Sequence, residues 1–342
     1  MDQDNYYTLS PALVDKVKTL EGPILVFGAG GFIGVNLLKT LLLYRKDVYG
    51  ASHDYINSWR LLANKIPLSN LINCDITERE RVEDVIKEVQ PKTIFNLAAY
   101  GAYSKQKEYH KIYATNFNAT TIIIEVLKKY GFSAYVHAGS SSEYGLNSAA
   151  PSEEDTLVPN THYSVSKVSA YYLMKYYGKI EELPVVHLRL YSVFGPWEEP
   201  DRLISVLLSH ARNSKLPHLV NPDISRDFIY ITDICAAFIF AAHKLQKKHY
   251  GEAYNVGSGH KTTIKELVEI VRKKMNLKVE PNYSSMPNRT WDLTDWYGNV
   301  NLIKKELKWG PEVSLEEGID KSFQWQKDID FDNVLWNWTN RK

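Results

Sequence analysis

Four apolar residues, Ile24-Leu25-Val26-Phe27, run directly into Gly28-Ala29-Gly30-Gly31-Phe32-Ile33-Gly34. The glycines fall at 28, 31 and 34, a GxxGxxG spacing. An apolar run before such a turn reads as a buried strand, and the amphipathic stretch after it reads as a helix. Glycines between strand and helix let the backbone approach a ligand closely. The helix N-terminus then offers unpaired N–H groups to an anion, so the unit predicts a dinucleotide pyrophosphate site.

A parallel strand needs a crossover helix, and the rest of the N-terminal half supplies them. Strands are expected at Ile24–Phe27, Asp47–Ala51, Leu71–Asn73, Thr93–Ala98, Ala134–Ala138 and Val185–Leu190. Helices are expected at Phe32–Leu43, from a Thr77 cap to Val89, at Thr115–Tyr130 and at Tyr163–Gly178. Short apolar strands alternating with helices predict an α/β fold with a Rossmann-type doubly wound parallel sheet. Residues 1–22 read as an added arm, with a helix from Pro11 to Leu20 capped by Ser10. Residues 23–195 form the dinucleotide domain. After Pro196 prolines punctuate mixed segments, so 196–342 reads as mainly a smaller, interleaved substrate lobe. Within it Phe228–Ile231 and the helix from Asp233 are expected to return to the main sheet, as part of residues 227–257. Tryptophans 291, 296, 309, 325, 336 and 338 cluster late and read as packing of this lobe.

The chain has 342 residues, enough for a large core, and a net charge of +1. Near-neutrality gives no electrostatic case for nucleic acid or a membrane as the main partner. Cys74 and Cys235 are the only cysteines. Two isolated thiols suggest a reducing compartment and argue against a cysteine zinc site, so no metal is expected. The first residues lack a signal-peptide core, and the longest apolar stretch, Ile234 to Ala242, is too short to cross a bilayer. A cytoplasmic protein is expected.

Tyr163 and Lys167 are four residues apart and share a helix face. A phenol is a weak base at neutral pH, with a pKa near ~10. A neighbouring ammonium and an oxidised nicotinamide both stabilise its anion and bring it toward the range of a general base. The serines Ser140-Ser141-Ser142 at a strand end stand before it in sequence. The end of the second strand should select the dinucleotide: an acid there suits NAD, a base NADP. It reads Ala51-Ser52-His53-Asp54, with Arg60 further on. Ser52 takes the acid's place, and Arg60 is either a phosphate ligand or a solvated charge. NAD is slightly favoured over NADP. Asp75, at the end of the third strand, suits the adenine edge or a helix cap.

With these motifs the chain resembles the extended short-chain dehydrogenase/reductases of the NAD-dependent NDP-sugar epimerase/dehydratase family. The landmarks are the GxxGxxG turn, Asn96-Leu97-Ala98-Ala99, Asn116 in Thr-Asn-Phe-Asn-Ala-Thr, Ser140 to Gly145, and Tyr163-xxx-Lys167. Leu188 to Pro196, Arg226 to Tyr230 and Tyr254-Asn255-Val256-Gly257 complete them. The resemblance implies a homodimeric enzyme that takes a nucleotide-diphosphate sugar and oxidises its C4 transiently. Tyr163 would be the base on O4 and Lys167 would hold the nicotinamide ribose. Ser141 or Ser142 would bond O4, and Glu143 would match the dehydratase base at C5. The cofactor would lie along Gly28, Gly31, Phe32, Ile33, Gly34, Ser52, Arg60, Asp75, Ile76, Leu97, Ala98, Ala99 and Asn116. Tyr100, Ser192, Arg226 and Arg289 would face the substrate, the arginines gripping its diphosphate. Phe27 replaces a usual threonine, Ser192 a frequent asparagine, and Ser-Glu-Tyr-Gly is one residue shorter than the dehydratase motif. Epimerase and dehydratase readings stay open, beside an NADPH-dependent 4-keto-sugar reductase and a non-catalytic dinucleotide-binding scaffold.

Overall fold

The structure, a computed structural model, describes residues 6–103, 105–286, 293–329 and 333–334. Seven parallel strands form the central sheet: β1 (Ile24–Phe27), β2 (Val48–Ser52), β3 (Leu71–Asn73), β4 (Thr93–Asn96), β5 (Ala134–Ser140), β6 (Val185–Leu190) and, late in the chain, β10 (Ala253–Val256). Their order is β10-β6-β5-β4-β1-β2-β3. The strand order reverses between β1 and β4, and the crevice at their carboxyl ends is where open α/β sheets bind ligands. Every residue of β1, β4, β6 and β10 is buried, as helices on both faces require.

One face is covered by α1 (Pro11–Thr19), α2 (Phe32–Leu42) and α9 (Ile231–Lys244), whose Leu13, Leu37 and Ile234 join Val26, Val136 and Val186 in one core. The other carries α4 (Arg79–Val89), α6 (Ala119–Tyr130) and α7 (His162–Lys179), with Val85, Ile123 and Met174 packed against Leu25, Ile94 and Tyr135. Short α3 (Trp59–Ala63) follows β2, and α5 (Tyr109–Tyr113) precedes α6. The remaining elements build the smaller lobe. They are β7 (Ser192–Phe194), α8 (Leu203–Ala211), β8 (Ser225–Arg226), β9 (Phe228–Tyr230), β11 (Thr262–Thr263), α10 (Ile264–Lys274), α11 (Asn301–Glu306) and α12 (Leu315–Asp328).

The strands agree with the sequence reading to within a residue or two. Three local expectations fail for physical reasons, and a fourth, the Ser10 cap, holds in position only. Thr77 does not cap α4: its backbone N–H and hydroxyl both donate to Asp75 Oδ1, and Glu78 stands at the N-cap. Ser10 does hold the N-cap of α1, yet its side chain makes no capping bond. The 115–130 helix begins earlier, at Tyr109, and carries a π-turn over Ala114–Asn118. β9 does not enter the main sheet; it pairs in parallel with β7 in a separate ribbon, and β10 makes the return instead.

Candidate active site

The glycine turn is dictated first by the protein's own backbone. Gly28 has φ +76°, and a Cβ on it would lie 2.5 Å from Ala98 N. A Cβ on Gly34 would lie 2.1 Å from Gly28 O. Gly31 differs: within 4 Å its Cβ would meet, among the described residues, only Gly28 O, at 3.2 Å. It is the N-cap of α2, so the side a side chain would fill is open beside the amides of the first turn, those of Phe32 and Ile33. An open cradle at a helix N-terminus fits a dinucleotide pyrophosphate.

The ribose end is lined by hydroxyls. A Cβ on Gly30 would come within 2.9 Å of Ser52 Oγ and 3.0 Å of Ser58 Oγ. Ser58 had no signal in the sequence, since nothing local aims it at the turn. Arg60 is neither a phosphate ligand nor a solvated charge. It is buried, donates from Nε to Trp197 O at 2.7 Å, pairs with Glu199 at 2.6 Å and stacks on Trp59. The basic residue that the sequence offered as a ligand for an NADP phosphate is thus committed elsewhere. Asp75 is exposed beside buried Ile76, and Thr77 occupies one of its oxygens.

The segment Leu97-Ala98-Ala99-Tyr100-Gly101 joins the turn to the chemistry. It abuts Gly28 at one end, and at the other a Cβ on Gly101 would lie 3.4 Å from Tyr163 Cδ2. Asn116, fully buried on the π-turn, holds it: Oδ1 accepts from Tyr100 N, while Nδ2 donates to Tyr100 O and to Ser166 Oγ on α7. Asn116 thus ties this loop to the helix that carries Tyr163 and Lys167. The Tyr100 hydroxyl donates to Glu108.

The three serines after β5 have three different partners. Ser140, the last strand residue, stands beside the Tyr163 hydroxyl. Ser142 donates its hydroxyl to Ser140 Oγ at 2.9 Å. Ser141 Oγ accepts instead from the indole N–H of Trp296, also at 2.9 Å. Ser140 is therefore the serine that meets Tyr163, where the sequence reading chose between Ser141 and Ser142. Burial pushes the half-buried Tyr163 up to about 12, against the neighbouring Ser140 hydroxyl, which lowers it. Lys167 is 1% exposed, and burial brings it down to about 8 although the Glu143 charge works to raise it. Its Nζ donates to Ala138 O at 2.8 Å and lies 5.8 Å from the Tyr163 ring centroid.

Glu143 is not placed as a base. It is 0% exposed and turned into the sheet, with His187 Nε2 2.8 Å from Oε1 and Arg189 Nε 2.8 Å from Oε2. Burial alone would raise its carboxyl; the charges and hydrogen bonds of His187 and Arg189 outweigh that and hold it below the usual range. A carboxylate so engaged has neither access to a sugar carbon nor affinity for its proton.

On the lobe side, Trp296 bridges toward the serines, and the Arg226 guanidinium lies 5.4 Å from its ring. Arg226 Nη1 also donates to Ser225 O, and Ser192 sits half-buried on β7. Asp227 next to Arg226 is buried, accepting from Ser258 and Gly259. Arg289, Trp291, Trp336 and Trp338 lie outside the described residues. Trp309 and Trp325 are buried in the lobe as expected, whereas Trp296 reaches the site.

The sequence model of the "NAD dependent epimerase/dehydratase family" matches residues 24–257. A Bacillus subtilis (strain 168) protein described as an uncharacterized UDP-glucose epimerase is 29% identical over 317 residues, covering 86% of this chain and 95% of its own. A UDP-glucuronate 4-epimerase from Thermodesulfobacterium geofontis is 28% identical, covering 90% and 97%. Among solved structures, a dTDP-glucose 4,6-dehydratase from Bacillus anthracis str. Ames in complex with NAD superposes with a TM-score of 0.77 at 28% identity, covering 90% and 97%. A glycine cradle, a Tyr-Lys helix and a strand-end serine on a seven-stranded doubly wound sheet agree with that match, and the chain belongs to the NAD-dependent epimerase/dehydratase family of extended short-chain dehydrogenase/reductases.

Proposed function

We propose that this enzyme is a 4-epimerase of a nucleotide-diphosphate sugar. The observation that carries the choice is the serine run: Ser140 meets Tyr163, while the one carboxylate among these residues, Glu143, is buried away from it. A 4,6-dehydration must also remove a proton from C5, and Glu143 is in no position to take it. Transient oxidation at C4 needs a base at O4 alone. Relatives with either chemistry, the UDP-glucuronate 4-epimerase and the dTDP-glucose 4,6-dehydratase, support the substrate class.

Tyr163 takes the O4 proton as the carbonyl forms and gives it back as the alcohol is restored. Ser140 bonds the same oxygen and orients it. Lys167, buried one turn along α7, stabilises the phenolate. Bound NAD supplies the hydride acceptor at C4 and the hydride that returns to the opposite face. Gly31 with the first turn of α2 would hold its pyrophosphate, and Ser52 and Ser58 its adenosine ribose. Arg226 and Arg289 would hold the sugar-nucleotide diphosphate, with Trp296 beside the sugar.

The functional unit in this reading is a cytoplasmic homodimer. Val165, Tyr172, Tyr176 and Ile180 leave an apolar stripe exposed along α7, and Tyr109 lies exposed on neighbouring α5. Two such stripes cover one another across a two-fold axis. No helix among the described residues is long and apolar enough to cross a membrane. Residues 23–195 with 227–257 serve the cofactor, and most of 196–342 serves the substrate.

The test is incubation with UDP-glucose, UDP-glucuronate, GDP-mannose and dTDP-glucose in deuterated water, with product NMR. A 4-epimer without carbon-bound deuterium is expected. Loss of water, or deuterium at C5, would overturn the epimerase reading in favour of dehydration or 5-epimerisation.

A further inference from the structure

We propose that Glu143 is a positioning residue that acts through Ser140, holding the strand end so that the Ser140 hydroxyl meets Tyr163. This rests on the reading of Tyr163 as the base. Glu143 Oε1 accepts the Ser140 backbone N–H at 2.8 Å, and Ser140 in turn caps the 3₁₀ turn Ser141–Tyr144 through Ser142 N. The acid and the serine therefore fix each other. Behind Glu143 stands a rigid support. Arg189 Nε donates to Oε2, and Arg189 Nη1 donates to the Tyr144 hydroxyl at 2.9 Å and to Glu153 O at 3.1 Å. The guanidinium is 4.3 Å from the Tyr171 ring centroid and 4.8 Å from that of Tyr144. His187 is pressed between the His137 and Tyr171 rings. Burial pushes the His187 imidazole down; its Nε2–H donates to the Glu143 carboxylate, and Nδ1 has no partner among the described residues.

Gly139 shows that the local backbone is shaped around this cluster. A Cβ there would lie 2.1 Å from His187 Nε2 and 2.7 Å from Glu143 Oε1. A buried acid–arginine pair is often no more stabilising than apolar side chains of similar volume. Its place directly under the serine is accounted for by the geometry it imposes on Ser140.

The test is a double-mutant cycle of Ser140→Ala and Glu143→Gln, assayed with UDP-glucose or, if faster, UDP-glucuronate. Each single change is expected to lower kcat about tenfold or more with KM changed less than about threefold, and the double variant to be about as slow as the slower single, as for residues that act as a unit. Additive losses would overturn the proposal. NAD titration should give affinities within about twofold of wild type, because the glycine turn is untouched. Crystal structures of wild type and Glu143→Leu supply a readout independent of turnover: Ser140 Oγ should leave Tyr163 in the variant, and an unmoved serine would overturn the proposal. If neither Glu143 variant folds, His187→Gln replaces it in the cycle, with the same expectation of non-additivity. Tyr163→Phe separates the two levels of the argument. Substantial activity in that variant sinks the base assignment itself, whereas an inactive Tyr163→Phe with an additive cycle sinks only the role of Glu143.

Discussion

The glycine turn after β1 and the serine end of β5 both lie at the carboxyl end of the sheet, yet the fold constrains them differently. At the turn, Gly28 and Gly34 are required by backbone contacts within the protein, and only Gly31 is left with an open side. Fold and function ask there for different glycines of one turn, without opposing each other. At the serine end, the site holds a buried ammonium and a buried carboxylate, Lys167 and Glu143, each expensive to remove from water. Function there runs against stability. The turn should therefore tolerate change only where a ligand sits, and the serine end should gain stability where it loses chemistry.

The largest effect tests the chemistry. Tyr163→Phe removes one hydroxyl from a half-buried ring and should lower kcat by the ~10²–10⁴-fold typical of a general acid/base, with NAD affinity nearly unchanged. Retention of about a tenth of wild-type activity is incompatible with the assignment on that scale.

Next comes the turn. Gly31→Val should leave a folded protein that does not take up NAD, because the branched side chain fills the open cradle. Gly34→Ala should instead destabilise the whole domain, since its Cβ would collide with Gly28 O. Circular dichroism with NAD titration separates the two. Equal loss of fold in both variants would erase the distinction between a ligand-facing and a packing glycine.

Smaller differences are expected among the serines. Ser140→Ala should slow turnover about tenfold, the scale of one hydrogen bond to a charged group. Ser141→Ala releases the Trp296 indole and should act mainly on KM. If Ser141→Ala proved the slower variant, the ordering of the three hydroxyls would be reversed.

These cases show what was legible in the chain and what was not. The strand–glycine–helix unit could be read because backbone sterics alone demand it, and six of the seven sheet strands were visible as short apolar runs. The Tyr163–Lys167 pair followed from helical spacing. Which of three adjacent serines stands beside Tyr163 was not legible, because it depends on where β5 gives way to a 3₁₀ turn. Glu143 and Arg60 were misread for a related reason. Their partners, His187 and Arg189 for one and Trp197 and Glu199 for the other, are remote in sequence, so neither burial nor pairing has a local signature. Trp296 and Ser58 reach the site by tertiary folding alone. The π-turn around Asn116 is invisible to a pattern that counts only helical periods.

The smallest effect bears most directly on the contrast between the two regions. Burial lowers the Lys167 ammonium from its ordinary 10.5 to about 8 in the folded protein. Between those values the unfolded chain binds the proton more readily than the folded one, so stability rises with pH across the window. Above 10.5 the side chain is neutral in both states and costs nothing through charge; as pH falls through 8 the full penalty of a buried cation is in place. Lys167→Met removes that penalty, at the expense of the hydrogen bond to Ala138 O. The stability of Lys167→Met relative to wild type should therefore be greatest at pH 7 and decline steadily through pH 9 and pH 10, while turnover is lost at all three. Urea unfolding of both proteins at these pH values measures the difference. A gap that stays constant with pH would mean that Lys167 carries its charge without strain, and that the serine end is no more costly to the fold than the glycine turn.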